Sequence, residues 1–148
     1  MNKSTKYSKV LFILHMPPPV HGASMVGKYI HDSKIINNAF ECHYLNLALA
    51  KDLDDIGKGG IRKLKEFYKQ LKQIRKQTKL IVPQLCYVTP NAKGGAFYKD
   101  FFVVMLLKMM RQNIVVHYHN KGIATRQNRY FDNLLYSPFF KNLKVILL

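Results

Sequence analysis

The sequence predicts an α/β protein of Rossmann-like, three-layer architecture, with a mainly parallel five-stranded sheet in the order 3-2-1-4-5. Short, strongly apolar runs alternate along the chain with longer segments of helical periodicity. Parallel strands joined in this way need helical, right-handed crossovers, which cover both faces of the sheet. With 148 residues, 48% of them hydrophobic, the chain is long enough for one domain with a buried core.

The first half of the chain predicts two strands and two helices. KVLFILH (9–15) is almost wholly apolar, as expected of a strand buried on both faces. HGASMVGKYIHDS (21–33) follows and predicts a short helix, and FECHYLNL (40–47) predicts the second strand. Residues 61–79 carry apolar side chains at every third or fourth position and predict a long amphipathic helix.

The second half repeats the alternation. QLCYVTP (84–90), NIVVHYH (113–119) and LKVILL (143–148) predict the remaining strands, and AFYKDFFVVMLLKMMR (96–111) predicts a largely buried helix. NRYFDNLLYSPFF (128–140) predicts a helix interrupted by a proline. Because the sequence stops inside an apolar strand, we expect these 148 residues to be the first domain of a longer protein.

The composition predicts an anionic partner. There are 24 Lys and Arg residues against 8 Asp and Glu, a formal net charge of +16. Nucleic acid, an anionic membrane surface and a phosphorylated substrate all fit such an excess, as does a solvated basic surface. Cys42 and Cys86 lack metal-site spacing and predict free thiols. With no cleavable leader and no apolar run of ~20 residues, we expect a cytoplasmic protein.

Histidines gather at two predicted strand ends. His15 and His21 flank the first loop, and His117 and His119 close the fourth strand with side chains on the same face. In an open parallel sheet, ligands bind beyond the carboxyl ends of the strands, where the strand order reverses. The order 3-2-1-4-5 places that crevice between strands one and four, so we expect all four histidines to surround it.

The loop MPPPVHGAS, residues 16–24, ends the first strand and opens the next helix. Three prolines carry the chain stiffly outward, and Gly22, Ala23 and Ser24 then place free helix amides where they attract a phosphate. A rigid linker with a helix cap explains the same residues equally well. Neither G-x-G-x-x-G nor G-x-x-x-x-G-K-[ST] occurs, which argues against NAD and ATP chemistry here.

Two further loops supply candidate residues. His119 can hydrogen-bond a substrate hydroxyl, and Lys121 can meet a phosphate. Lys99 and Asp100 lie near the start of the predicted third helix and, with His117, are candidates for contact with the acceptor. Asp100 in the first turn of that helix would also favour the helix dipole. The H-Y-H spacing leaves open a metal-dependent hydrolase with His117 and His119 as ligands, although carboxylate ligands are scarce.

The helix over 61–79 is strongly basic and amphipathic. Its lysines and apolar stripe predict a contact with an anionic membrane surface, and a solvated face packed on the sheet remains an alternative. A nucleic-acid-binding module is a further alternative that rests on charge alone, since no recognition motif is present. A noncatalytic interaction domain also stays open.

Two segments carry a resemblance to a known family. KVLFILHMPPPVHGAS (9–24) and NIVVHYHNKG (113–122) resemble the amino-terminal domain of GT-B glycosyltransferases, close to the retaining glycosyltransferase family 4 of bacterial surface-polysaccharide synthesis. That family has two Rossmann-like domains facing a cleft, the first for the acceptor and the second for the nucleotide-sugar. One departure is that His21-Gly22 stands where the family usually has paired glycines.

The resemblance implies a function and its partners. The chain is expected to be the acceptor-side domain of an enzyme that moves a sugar from a nucleotide-sugar to a lipid-linked or saccharide acceptor without metal or other cofactor. His21, Gly22, Ala23 and Ser24 would face the donor diphosphate, and His119, or else His117, would reach the transferred sugar. Without the donor-binding domain, we expect the chain alone to be inactive, to lie at the inner membrane face, and to be able to pair with a copy through its fifth strand.

Overall fold

The computed structural model describes residues 8–48, 61–92, 94–119, 122 and 130–147. The strands are β1 (Lys9–Leu14), β2 (Glu41–Asn46), β3 (Leu85–Val88), β4 (Ile114–Tyr118) and β5 (Lys144–Leu147). The helices are α1 (Gly22–Asp32), α2 (Lys34–Ala39), α3 (Ile61–Ile81), α4 (Gly94–Met109) and α5 (Tyr130–Phe140).

The predicted fold class is confirmed, and the predicted strand order is wrong. All five strands are parallel and lie in the order β2-β1-β3-β4-β5, not 3-2-1-4-5. β2 is therefore an edge strand, and β3 pairs directly with β1. The order reverses between β1 and β3, so the crevice lies between these two strands and not between strands one and four as predicted.

Helices cover the two faces of the sheet unequally. Leu11 and Ile13 of β1 face the larger core, which includes Ile74 of α3, Phe97 of α4 and Phe139 of α5. Val10, Phe12 and Leu14 face the smaller core under α1 and α2. This alternation along β1 explains why the whole strand is apolar, because both of its faces are packed.

Several elements differ in detail from their predictions. The short helix α2 was not predicted; it starts where the Ser33 hydroxyl accepts a hydrogen bond from the amide of Ile36. α4 begins at Gly94, two residues earlier than predicted, so Asp100 is not in its first turn and does not serve the helix dipole there. Among the described residues, no helix is long and apolar enough to cross a membrane.

The edge of the sheet at β5 is open within the part of the chain that the structure describes. β5 pairs with β4 on one side, and all four of its residues are exposed. Pairing with a second copy through this strand stays a prediction.

Candidate functional site

The carboxyl edge of the sheet brings the ends of β1 and β3 side by side. The backbone amide of Thr89 donates to the carbonyl of Ile13, and the amide of His15 donates to Oγ1 of Thr89, at 3.2 Å. His15 is thereby held beside the loop after β3, where the strand order reverses. This is the position at which open parallel sheets bind their ligands.

Asn91 joins His15 to a buried carboxylate. Its Nδ2 lies 2.9 Å from Nε2 of His15 and 2.7 Å from Oδ2 of Asp100, and its backbone amide donates to the same carboxylate oxygen at 2.8 Å. Because a carboxylate only accepts hydrogen bonds, the Asn91 atom facing Asp100 must be the amide nitrogen. Asn91 therefore bridges the ring of His15 and the carboxylate of Asp100, whose Oδ2 lies 3.5 Å from Nε2 of His15.

Asp100 is fully buried and remains charged. Burial by itself would raise the pKa of Asp100, but the positive charge of Lys99, the neighbouring His15 and the amide of Asn91 together hold it below its usual value. Nζ of Lys99 lies 3.3 Å from Oδ1 of Asp100 and donates to the carbonyl of Leu47 at 2.7 Å. Lys99 and Asp100 thus tie the ends of β1, β2 and β3 together, so the structure gives both a structural role; a contact with the acceptor stays a prediction.

The start of α1 is closed by a reciprocal cap between His21 and Ser24. The amide of Ser24 donates to Nδ1 of His21, and the amide of His21 donates to Oγ of Ser24, at 3.3 and 2.9 Å. The Ser24 hydroxyl also contacts the carbonyl of Pro19, 2.8 Å away. The backbone amide and the hydroxyl of the buried Ser24 are therefore both hydrogen-bonded within the loop. The amides of Gly22 and Ala23, by contrast, have no acceptor inside the helix.

Glycine at position 27 lets α1 approach the end of β1. A Cβ atom there would lie 2.0 Å from the backbone oxygen of His15, which excludes any side chain. By contrast, a Cβ at Gly22 would have no atom within 4 Å. The close approach of α1 to β1 is therefore made at Gly27, whereas the Cβ position of Gly22 is open.

His117 and His119 lie together at the end of β4. Their ring centroids are 4.2 Å apart, which confirms that both side chains point to the same face. Nδ1 of His117 is hydrogen-bonded to the hydroxyl of Tyr87 on β3. The other three ring nitrogens of the pair are buried and make no hydrogen bond within the described part of the chain.

Burial lowers the pKa values of three histidines at this edge. It lowers the pKa of His119 to about 4, with smaller contributions from His117 and His15, and it also lowers the pKa of His117. The pKa of His21 is lowered by burial and by His15, whose ring centroid is 6.5 Å away. The structure thus places His15 beside His21 and His117 beside His119, all at the carboxyl edge of the sheet.

A neutral imidazole offers one donor and one acceptor, which suits hydroxyl groups. In the described ranges, no group of three or more His, Cys, Asp or Glu side chains could hold a metal ion. The free thiols of Cys42 and Cys86 lie within strands, as predicted.

Comparison with known proteins leaves the chain without a family. No family model, no curated protein and no solved structure matches it. The interpretation of the site therefore rests on the geometry of this edge and on the sequence motifs.

The structure brings together most of the predicted site residues. His21, Gly22, Ala23, Ser24, His117 and His119 all lie at the carboxyl edge, whereas Lys121 lies outside the described residues. Sequence reasoning assigned no role to Asn91, Thr89 or Gly27. Only Gly27, a glycine inside a predicted helix, carries a signal that could have revealed it, because glycine there costs stability unless close packing requires it.

Proposed function

We propose that this chain is the acceptor-side domain of a GT-B glycosyltransferase. In this proposal the whole protein moves a sugar from a nucleotide-sugar to a lipid-linked or saccharide acceptor at the cytoplasmic face of a membrane, in cell-surface polysaccharide synthesis. The proposal takes its reaction class from the resemblance of residues 9–24 and 113–122 to that family. The parallel fold and the basic charge of the chain agree with it.

The observation that carries the proposal is the state of His119. Both of its ring nitrogens are buried without a hydrogen-bond partner among the described residues, and its pKa of about 4 keeps it neutral at physiological pH. An unsatisfied buried polar group costs roughly 1–3 kcal/mol, a cost that a bound ligand can remove. We assign His119 to hydrogen bonding with hydroxyls of the transferred sugar, with His117 held beside it by Tyr87.

The start of α1 supports a place for the donor diphosphate. The amides of Gly22 and Ala23 have no intrahelical acceptor, and the positive end of the helix dipole favours an anion there. The cap between His21 and Ser24 holds this turn in a fixed shape. In the proposal Lys121 adds a positive charge for the diphosphate, and the reaction needs no metal or other cofactor.

The test is sugar transfer by the complete protein that carries these residues. Radiolabelled nucleotide-sugars are offered one at a time with a lipid extract or a saccharide mixture, and label is followed into the lipid and polymer fractions. We expect transfer from one donor, unaffected by a metal chelator. His119→Ala should lower kcat by about 100-fold, the usual scale for one polar group that acts in the transition state.

His43→Ala provides the matched control. His43 lies within β2 and pairs with Glu41 at 3.1 Å, so its loss should leave the rate unchanged. The proposal fails if no donor gives transfer, or if His119→Ala transfers sugar at the rate of the unaltered protein.

A further inference from the structure

The outer surface of α3 is a continuous ridge of lysines. Lys65, Lys69, Lys72, Lys76 and Lys79 follow one another at spacings of three or four residues, and all five are exposed. On a helical projection they fall within about 40° of one direction, opposite to the buried Ile74. This lysine ridge runs for about 21 Å at a rise of 1.5 Å per residue.

The charges of the lysine ridge are not compensated within the described part of the molecule. None of the five ammonium groups forms an ion pair there, and Lys72 lies instead over the ring of Tyr68, 4.7 Å from its centroid. Like charges at these spacings repel one another by a few tenths of a kcal/mol per pair. The ridge is therefore a site of uncompensated positive potential that an external anion would relieve.

Apolar side chains border the lysine ridge. Leu64 and Tyr68 are 68% and 58% exposed on one side of it, and Leu80 is 67% exposed on the other. The exposed face of α3 thus combines a row of cations with exposed aliphatic and aromatic side chains.

This combination selects one class of partner. Nucleic-acid phosphates would neutralise the lysines but leave Leu64 and Leu80 in water. An anionic bilayer would neutralise the lysines at its headgroups and also receive the apolar side chains at the headgroup boundary. We infer that the lysine ridge, with Leu64, Tyr68 and Leu80 beside it, binds the surface of a bilayer containing anionic phospholipids.

The inference names the membrane partner within the proposed function, yet its evidence is independent of the sugar-transfer site. α3 follows β2, and Gln70 in its first half donates to the carbonyl of Asn46 at the end of that strand. The first half of α3 therefore lies next to the carboxyl edge of the sheet. A domain adsorbed through the ridge would hold this edge close to the bilayer, where a lipid-linked acceptor is found.

Vesicle co-sedimentation of the 148-residue chain tests the inference. Vesicles of phosphatidylcholine alone are compared with vesicles that also contain phosphatidylglycerol, at about 0.1 M NaCl, where charges are screened over ~10 Å. We expect sedimentation only with phosphatidylglycerol. Each lysine at an anionic surface contributes about 1 kcal/mol, so the triple variant Lys69→Gln/Lys72→Gln/Lys76→Gln should lower partitioning by about 100-fold.

A matched variant separates the ridge from net charge. Lys34→Gln/Lys141→Gln/Lys144→Gln removes the same charge from exposed lysines of α2, of the turn after α5, and of β5. It should reduce partitioning by only a few-fold, given the long-range share of the attraction. Equal losses for the two triple variants, or equal binding to both kinds of vesicle, would overturn the inference. Thermal unfolding of every variant confirms that it is folded.

The apolar border provides the second readout. Leu64→Ser/Tyr68→Ser should weaken vesicle binding by about tenfold, because the transfer of two half-exposed side chains is lost, and should leave binding to duplex DNA unchanged. Unchanged vesicle binding by this variant, with DNA bound as tightly as the vesicles, would assign the ridge to nucleic acid instead. His119→Ala should bind vesicles like the unaltered chain, so failure of the transfer proposal and failure of this inference remain distinguishable.

Discussion

His119 combines two properties that rarely occur together in a residue that only packs. Its nitrogens are buried without partners in the described ranges, and its neighbours include His117 and His15 rather than a carboxylate. A buried histidine of purely structural function usually satisfies at least one nitrogen, because an unsatisfied polar group costs stability. The unpartnered ring is therefore a cost to the fold, as the proposed sugar contact of His119 would require.

The lowered pKa of His119 makes the stability of the protein depend on pH. The pKa of His119 is about 4 in the folded protein and about 6.5 in an unfolded chain, so the unfolded state binds more protons between these values. Stability must then fall as the pH decreases from about 6.5 towards 4. In His119→Gln this loss should be smaller by about 1 kcal/mol, a figure reduced from the full shift because solvent screens a partly exposed ring.

Urea unfolding at about pH 7 and pH 5 measures the effect. The control is Ile35→Gln on α2, a change of one exposed, non-titratable side chain that should keep the pH dependence of the unaltered chain. An identical loss of stability in His119→Gln and in the unaltered chain would show that His119 is not desolvated. His117 and His21, whose pKa values are also lowered by burial, account for the part of the loss that the His119 variant retains.

At the residue scale, local patterns predicted the histidine pairs but not the network behind them. The alternation of side chains along a strand places His117 and His119 on one face, and this follows from spacing alone. The contact of Asn91 with His15 joins residues 76 positions apart, and no local pattern encodes it. Asp100 resembled an exposed helix-start carboxylate because its burial depends on how α4 packs against the ends of the strands.

At the scale of elements, Gly27 sets the distance between α1 and β1. Gly27→Ala should destabilise the protein by about 3 kcal/mol, because its Cβ would meet the backbone oxygen of His15, which cannot move without disturbing β1. For a chain of this length, that corresponds to a decrease in Tm of about 10 °C.

Gly95→Ala is the control for the Gly27 prediction. A Cβ at Gly95, in the first turn of α4, has no atom within 4 Å, and alanine favours helix formation. Its Tm should stay the same or increase slightly in thermal unfolding followed by circular dichroism. If Gly27→Ala unfolds at the same temperature as Gly95→Ala, then α1 does not approach β1 as closely as described.

The order of the strands shows why element patterns determine the fold class better than the topology. Alternating strands and helices predict a parallel sheet, but right-handed crossovers permit β3 to lie beside either β1 or β2. The composition of β2 indicates which of these two arrangements forms. Its Glu41, His43 and Asn46 suit an edge strand, whereas the Leu85–Val88 segment is short and apolar, as expected beside β1.

At the scale of the whole molecule, charge and shape act together. The net charge of +16 is spread over a domain whose acidic residues include the fully buried Asp100. The lysine ridge concentrates part of this charge on the exposed face of α3, while the candidate site occupies the adjoining edge of the sheet. Binding of the lysine ridge to an anionic surface would thus also bring the candidate site close to that surface.

The same charge should make stability depend on salt. Self-repulsion among excess cations destabilises the compact state, and added salt screens it over a Debye length that shrinks from about 14 Å at ~0.05 M to about 4 Å at ~0.5 M. We expect Tm to increase by about 3 °C over this range of NaCl, equivalent to roughly 1 kcal/mol. Neighbouring lysines on one helix repel most strongly, so removing them should reduce this increase in Tm more than removing scattered lysines. We therefore expect a larger reduction in Lys69→Gln/Lys72→Gln/Lys76→Gln than in Lys34→Gln/Lys141→Gln/Lys144→Gln.

Scanning calorimetry at both NaCl concentrations measures the difference between the two triple variants. The ridge is the main source of self-repulsion only if Tm increases with NaCl and the ridge variant loses more of that increase. A Tm that falls with NaCl, or equal effects of the two variants, would contradict this.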